Sequence, residues 1–313
     1  MGYNTDKLNQ TCERVTALII ESIEAAEAAG TQWKPSWNRG SFFPVNATTE
    51  RAYGGIFNPL CLALIAEANF DGDNRWAGFG QWKKSGNPVE RGQTGTPIWF
   101  PKMACADCGT PVQPWLKKCR NGHNLMRKGA TSFVGWGSAQ VFNNQQTRSP
   151  LATVEVKDVD PSVGFERMAA IVGNLGADLR HGGGRAFYRP SEDFIQMPEA
   201  GTFNTPQDYW ATSIHEHAHW TGHADRLNRK GITESKGFRG EDYAFEELVA
   251  ELTAAFVCQH VGVERDGLIE HHASYLAAWK KRLTEEPEAL RKAASLAGAS
   301  MRYILDNGEG EGK

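Results

Sequence analysis

No stretch of the chain approaches the ~20 consecutive apolar residues that a membrane span requires, and no basic, hydrophobic, small-residue leader pattern opens it. Neither a membrane partner nor export is therefore expected. Cysteine is sparse, six in 313 residues, and Cys12, Cys61 and Cys258 stand alone. Such usage does not make a disulfide framework, and it points to a reducing, cytoplasmic setting. No internal repeat occurs, which excludes a solenoid. Gly182-Gly-Gly-Arg185 lacks the Lys-Ser/Thr and the preceding strand of a phosphate loop, so it reads as a flexible turn. What remains is an ordinary globular composition, 40% hydrophobic and 23% charged, in a chain long enough for two domains with real cores.

The net charge of −3 hides an asymmetry. Residues 1–150 hold 16 Lys and Arg against 11 Asp and Glu, five positive in excess; the remainder holds 18 against 26, eight negative in excess. Seven of the ten tryptophans also fall in the first 150 residues. A basic, aromatic-rich half joined to an acidic half suggests two jobs, with the basic half the candidate for nucleic acid. In that half, Thr5–Ala29 and Pro59–Phe70 have helical spacing, Trp76–Trp82 reads as a short third helix weakened by Gly78 and Gly80, Pro97–Phe100 reads as a strand, and Ser132–Asn143 as a strand pair or one long strand. Rings and cations on the irregular segments between them suit single-stranded nucleic acid, where bases stack on the rings and Lys or Arg follow the phosphates. The competing expectation is that each ring packs in a core.

The acidic half contains Ser213-Ile-His215-Glu216-His217-Ala-His219-Trp-Thr-Gly-His223, so four of nine histidines fall within nine residues. His215 and His219, at i and i+4, share one helical face and can hold one Zn²⁺, with Glu216 beside them able to take a proton from water there. Asp208–Trp220 has no Pro or Gly, and Thr205-Pro206 makes a cap and first position, so a helix is expected. A catalytic zinc site wants a third protein ligand and an open position. Three residues compete: Asp225, spaced as the third ligand of His-Glu-x-x-His-x-x-Gly-x-x-His sites; His223, beyond the helix break expected at Gly222; and Glu247, on the predicted helix Tyr243–Leu252. On that helix Glu251 shares a face with Glu247 and could orient a ligand histidine. Around this pair, Asp160–Gly176 is predicted helical, Ala186–Pro190 and Asp193–Met197 form a hairpin, and helices are expected around Ile269–Trp279 and Pro287–Leu305.

Between the two basic-half strands lies Cys105-x₂-Cys108-x₁₀-Cys119-x₃-His123. A lone C-x-x-C would fit redox chemistry equally well; the second pair across a short loop favours a structural tetrahedral Cys₃His zinc site. Residues 101–128 thus read as a zinc-ribbon-like insertion, decorated by Lys117, Lys118, Arg120, Arg127 and Lys128.

With both halves in view the chain resembles the ArdC-type antirestriction proteins of plasmids, phages and other mobile elements. The resemblance is carried in the first half by Trp33-Lys-Pro-Ser-Trp37, Asn46 with Tyr53-Gly-Gly-Ile-Phe-Asn58, Trp76 with Phe79 and Gln81, Arg91-Gly-Gln-Thr-Gly-Thr-Pro97 and Val141-Phe-Asn-Asn-Gln145. In the second it rests on Ala186-Phe-Tyr-Arg-Pro190, Asp193-Phe-Ile-Gln-Met-Pro198, Tyr209-Trp210, His215–His223, Arg226-Leu227 and Glu246-Glu-Leu-Val-Ala-Glu251. It implies an α+β chain of two domains: a single-stranded-DNA-binding domain over residues 1–150 and a mostly helical zincin-like metallopeptidase domain with a short sheet over 158–306. It implies Glu247 as third ligand and DNA contacts among Trp33, Trp37, Arg39, Arg51, Tyr53, Asn58, Trp76, Gln81 and Arg91. The implied function is protection of incoming single strands from host restriction; the alternative is an active zinc endopeptidase that DNA merely localises to a protein substrate. The Cys105–His123 block departs from the family pattern.

Overall fold

The computed structural model describes residues 2–313 apart from 32, 34–42, 114–115, 128, 153–160, 235–240, 264–275, 287 and 310–313. The chain opens with helix α1 (Gly2–Ala28) and continues through β1 (Val45–Asn46), α2 (Phe57–Asn69), β2 (Arg75–Gly78), α3 (Phe79–Lys84), β3 (Thr96–Cys105), β4 (Pro111–Val112) and β5 (Thr131–Asn143). These strands form one sheet in the order β1-β2-β5-β3-β4, antiparallel except for β1 with β2. Its spine is the hairpin of β3 with β5, whose register shifts at Lys102/Met103, a bulge that bends the far end of the hairpin.

The second part holds α4 (Pro161–Leu175), β6 (Asp178–His181), β7 (Phe187–Arg189), β8 (Phe194–Met197), α5 (Pro206–Trp220), α6 (Lys230–Thr233), α7 (Glu241–Val261), α8 (Leu276–Glu285) and α9 (Glu288–Gly308). Its small sheet runs β6-β8-β7, with β7 antiparallel and β6 parallel to β8. The architecture is therefore α+β in two parts. Among the described residues no helix is long and apolar enough to cross a membrane.

Two local expectations need correction, and one left open is decided. Trp76 and Ala77 pair with Asn143 and Phe142, so the stretch 75–78 is a strand and the helix begins only at Phe79, after Gly78. The apolar spacing of Trp76 and Trp82 served two elements instead of one. Ser132–Asn143 forms part of one long strand. The hairpin before α5 gains a third strand, β6, hidden in sequence by its polar composition, Asp-Leu-Arg-His. Of the helix expected around Ile269–Trp279, residues 269–275 lie outside the described residues, and α8 begins at Leu276.

Helix α7 organises the interior. Every residue from Glu246 to Cys258 is buried, as expected for a helix packed on all sides. One face (Leu248, Val249, Leu252, Phe256) joins a core with α1, α2, Trp76, Val141, α8 and α9. The other (Ala254, Val257, Cys258, Val261) joins a core with α4, β8 and α5. The first core thus draws residues from both sides of the 150–158 boundary.

Candidate metal centre

Helix α5 begins as its sequence demands. The Thr205 hydroxyl accepts from the Asp208 backbone N–H at 3.1 Å, and Pro206 takes the first turn, where its missing N–H is no loss. The helix then runs uninterrupted to Trp220 and packs along α7. His215 and His219 lie on the α7 side, with their Nε2 atoms 3.0 Å apart. Glu247 closes the triangle: its Oε2 is 3.3 Å from His215 Nε2 and its Oε1 3.4 Å from His219 Nε2. All three side chains are buried. The edges of a tetrahedron around an ion with bonds of about 2.0–2.1 Å are roughly 3.3–3.4 Å. Two imidazole nitrogens 3.0 Å apart under a shared carboxylate can share either a proton or a cation. The residues present therefore fit a divalent ion.

The electrostatics agree. Burial works against a charge on His219, but the Glu247, Glu246 and Glu216 carboxylates outweigh it and push its pKa up to about 10. Burial likewise resists ionisation of Glu247, yet His219 and His215 hold it well below the usual carboxylate range. His217 shows the contrast: burial pushes its pKa down to about 4, and its Nδ1 donates to the Ser213 carbonyl at 2.7 Å. It is a neutral core histidine turned away from the triangle. Asp225 is also not part of the centre; its side chain is 87% exposed and lies 3.5 Å from His223 Nδ1.

A second layer supports the first. The Nδ1 atoms of both candidate ligands face carboxylates, His215 toward Glu251 at 3.9 Å and His219 toward Glu246 at 3.6 Å, an arrangement that turns each Nε2 toward the centre. Glu246 is gripped by Arg229, whose Nε donates to it at 3.0 Å, while the same guanidinium donates to Thr221 Oγ1 at 2.8 Å and to the Ala218 carbonyl at 2.7 Å. Arg229 thus neutralises Glu246 and places a cation at the α5 C-terminus, where the helix dipole favours it. Gly222 permits the approach: a Cβ there would lie 2.6 Å from Ile232 Cγ1 and 2.9 Å from Arg229 Nη2. Sequence reasoning missed both Glu246 and Arg229. The available signal was a third acidic residue in Glu246-Glu247-x₃-Glu251, within a largely apolar run from Ala244 to Cys258.

The second cluster sits at the closed end of the β3–β5 hairpin, where Cys105, Cys108, Cys119 and His123 bring their ligand atoms within 4.8 Å of one another.

Two family descriptions match the chain: the N-terminal domain of anti-restriction factor ArdC over residues 9–132 and a zincin-like metallopeptidase over residues 166–296. The Sinorhizobium fredii (strain NBRC 101917 / NGR234) protein y4eC is 31% identical over 300 residues, covering 94% of this chain and 92% of that protein. The chain belongs to the ArdC-type family. The antirestriction ArdC protein of plasmid R388 has a similar structure, with a TM-score of 0.69 for its Mn(II)-bound form and 0.67 for its metal-free form, at 27% identity over 96% of this chain and 99% of that one. Escherichia coli DNA primase TraC is 35% identical over 94% of this chain, but the chain spans only 27% of that protein's length.

In the ArdC-like N-terminal region the expected DNA contacts divide sharply. Trp76 is fully buried, edge-to-face against Phe70, and Trp33 is buried with its indole N–H donating to Ser22 Oγ at 2.9 Å. Neither ring can stack on a base in this conformation; both serve the core. Asn58 clamps α2 to β3, donating to the Trp99 carbonyl at 2.7 Å and accepting from its N–H at 2.8 Å. Gln81 Oε1 accepts from the Gly78 N–H and from Asn46, and the half-buried Tyr53 donates to the Trp76 carbonyl at 3.3 Å. Arg51 and Arg91 are exposed. Trp37 and Arg39 lie outside the described residues. Among the described residues the rings that face solvent are Phe79, Phe100 and Phe133, 55%, 44% and 54% exposed, and sequence reasoning did not single them out as contacts.

Proposed function

We propose that this chain is an antirestriction-type protein of a mobile element that binds single-stranded DNA through its N-terminal part, about residues 1–150, and carries a zinc metallopeptidase-type centre in residues 158–306. The observation that carries the second half of this reading is the His215–His219–Glu247 triangle, with edges of 3.0, 3.3 and 3.4 Å. In this reading those three residues hold the ion. When bound, the ion would supply Lewis acidity toward a peptide carbonyl. Glu216, next to His215 on α5 and close enough for its charge to act on His219, would take a proton from the attacking water and return it to the leaving amine. Glu246 and Glu251 would keep the imidazoles in register, and burial would exclude bulk water from the ligands. The DNA-binding half is supported by the family match and by a surface that exposes the rings Phe79, Phe100 and Phe133 as well as Arg51 and Arg91, since rings stack on bases and guanidinium groups follow phosphates.

Two experiments test the reading. Full-length protein with Glu216→Gln should retain its metal yet lose peptide hydrolysis by about 10²–10⁴-fold; hydrolysis equal to wild type would remove Glu216 from the mechanism. Fluorescence anisotropy of the full chain with labelled single- and double-stranded DNA across a salt series should give tight, salt-steep binding that prefers single strands. Equal binding to both forms would overturn the single-strand assignment and favour the alternative, an endopeptidase for which DNA serves only as an address.

A further inference from the structure

We infer that Cys105, Cys108, Cys119 and His123 hold a zinc ion that builds the end of the β3–β5 hairpin. This site is independent of the His215 centre and needs nothing from it. The donor atoms already outline the coordination polyhedron: Cys108 Sγ to Cys119 Sγ is 3.7 Å, Cys119 Sγ to His123 Nδ1 3.4 Å, and Cys105 Sγ to His123 Nδ1 3.6 Å. With Zn–S near 2.3 Å and Zn–N near 2.0–2.1 Å, a tetrahedron has S···S edges of about 3.8 Å and S···N edges of about 3.5 Å. A disulfide needs sulfurs about 2.05 Å apart, and all six cysteines are free.

The backbone is shaped for the same end. Each half of the site is a tight turn closed by its own hydrogen bond, Gly109 N–H to the Cys105 carbonyl at 2.8 Å and Gly122 N–H to the Cys119 carbonyl at 2.9 Å. Gly109 and Gly122 have φ of +70° and +82°, a region other residues avoid. Each turn aims its two ligands inward, and the Cys119 N–H to His123 carbonyl bond at 3.1 Å fixes the second pair.

Burial argues that an ion is required. Among the described residues the local core contains Cys105, Cys119 and a single buried aliphatic side chain, Val112, with Met103, Cys108 and Leu125 only partly covered. So few apolar side chains cannot hold a loop of this length against its chain entropy, and units this small depend on a metal or a disulfide. A thiolate-rich set also selects zinc over manganese, whereas the His₂Glu set at His215 accepts harder ions. Four protein ligands close the coordination sphere, so the site is structural and has no place for a substrate.

The test is metal analysis and Co²⁺ substitution on the full chain, with His215→Ala and Cys119→Ser as separate variants. The wild type should carry two zinc ions per chain and each variant one. Cobalt-loaded His215→Ala should keep the thiolate-to-cobalt charge-transfer band of a tetrahedral site, and Cys119→Ser should lose it while retaining one ion at the other centre, which also reports that it has folded. Excess Mn²⁺ should displace metal from the His215 site and leave the thiolate band intact. A wild-type chain that shows no thiolate-to-cobalt band, or one whose Cys108 and Cys119 are found joined as a disulfide, would overturn the inference. Two ions lost from His215→Ala would overturn the independence of the sites. One thiolate-bound ion in the wild type with none at His215 would leave this inference standing and count against the metallopeptidase reading.

Discussion

The two candidate metal clusters sit in opposite kinds of surroundings. His215, His219 and Glu247 lie on two long helices buried in apolar cores, with Glu246, Glu251 and Arg229 behind them. Among the described residues, the four ligands at the hairpin end have almost no core of their own. The difference teaches which side makes the other. At the helical centre the fold assembles the ligands and an ion has only to arrive. At the hairpin end the ligands are most of what there is to assemble, so the ion makes the local fold.

The sharpest way to break this comparison is to attack the support of the helical centre rather than its ligands. Arg229 and Glu246 are a fully buried ion pair, and removing one partner strands the other. Arg229→Met should lower the full chain's stability by about 3–5 kcal/mol in denaturant unfolding. Adding Glu246→Gln should recover part of that loss, because no uncompensated charge remains. Were Arg229→Met nearly neutral, the centre would not be pre-built and the two clusters would be more alike than argued here. A smaller effect on the same network is expected from Gly222→Ala, whose methyl would press Ile232 and Arg229 apart; overpacking of this kind costs about 1–3 kcal/mol.

Chelation compares the clusters directly. Stripping metal from the full chain should accelerate amide hydrogen exchange between Cys105 and Thr131 while leaving α5 and α7 close to their metal-loaded protection. Loss of protection in the helices equal to that at the hairpin end would mean that both sites are made by their ions.

What could be read without coordinates follows the same division. The cap at Thr205-Pro206, the His215/His219 spacing and the C-x-x-C turns are local patterns, and local geometry decides them. The role of Arg229 was illegible because it depends on an approach across Gly222 to a helix 17 residues away at Glu246. An arginine and a glutamate at that separation read equally well as solvated surface. Trp76 was misread for the same kind of reason. Gln81 and Arg91, expected alongside it as DNA contacts, are exposed, but strand pairing with Asn143 turns the Trp76 ring into the core shared by α1, α2 and α7. Whether a tryptophan is a platform or a plug is a tertiary fact, and so is the exposure of Phe100 and Phe133 on the β3–β5 hairpin.

In the proposed DNA-binding reading, that hairpin would carry the zinc-built tip toward a bound strand. Lys117, Lys118 and Arg120 are exposed on it, whereas Arg127 is paired with Asp107. If a bound strand runs along the hairpin past Phe100 and Phe133, its phosphates reach those three cations. Phe100→Ala should then weaken binding by about 1–3 kcal/mol, the usual loss of one stacked base. Replacing Lys117, Lys118 and Arg120 by Gln should change the salt dependence more than the affinity at low salt. Each lost phosphate contact on a single strand removes about 0.7 from the slope of log affinity against log salt, so the triple variant should lose roughly 2. Chelation should reproduce that loss of slope without any substitution, because an unbuilt tip no longer holds its cations in line. A slope that falls in the triple variant but survives chelation would show that the cations reach DNA from a tip that needs no ion, and the contrast between the two clusters would then fail at its structural end.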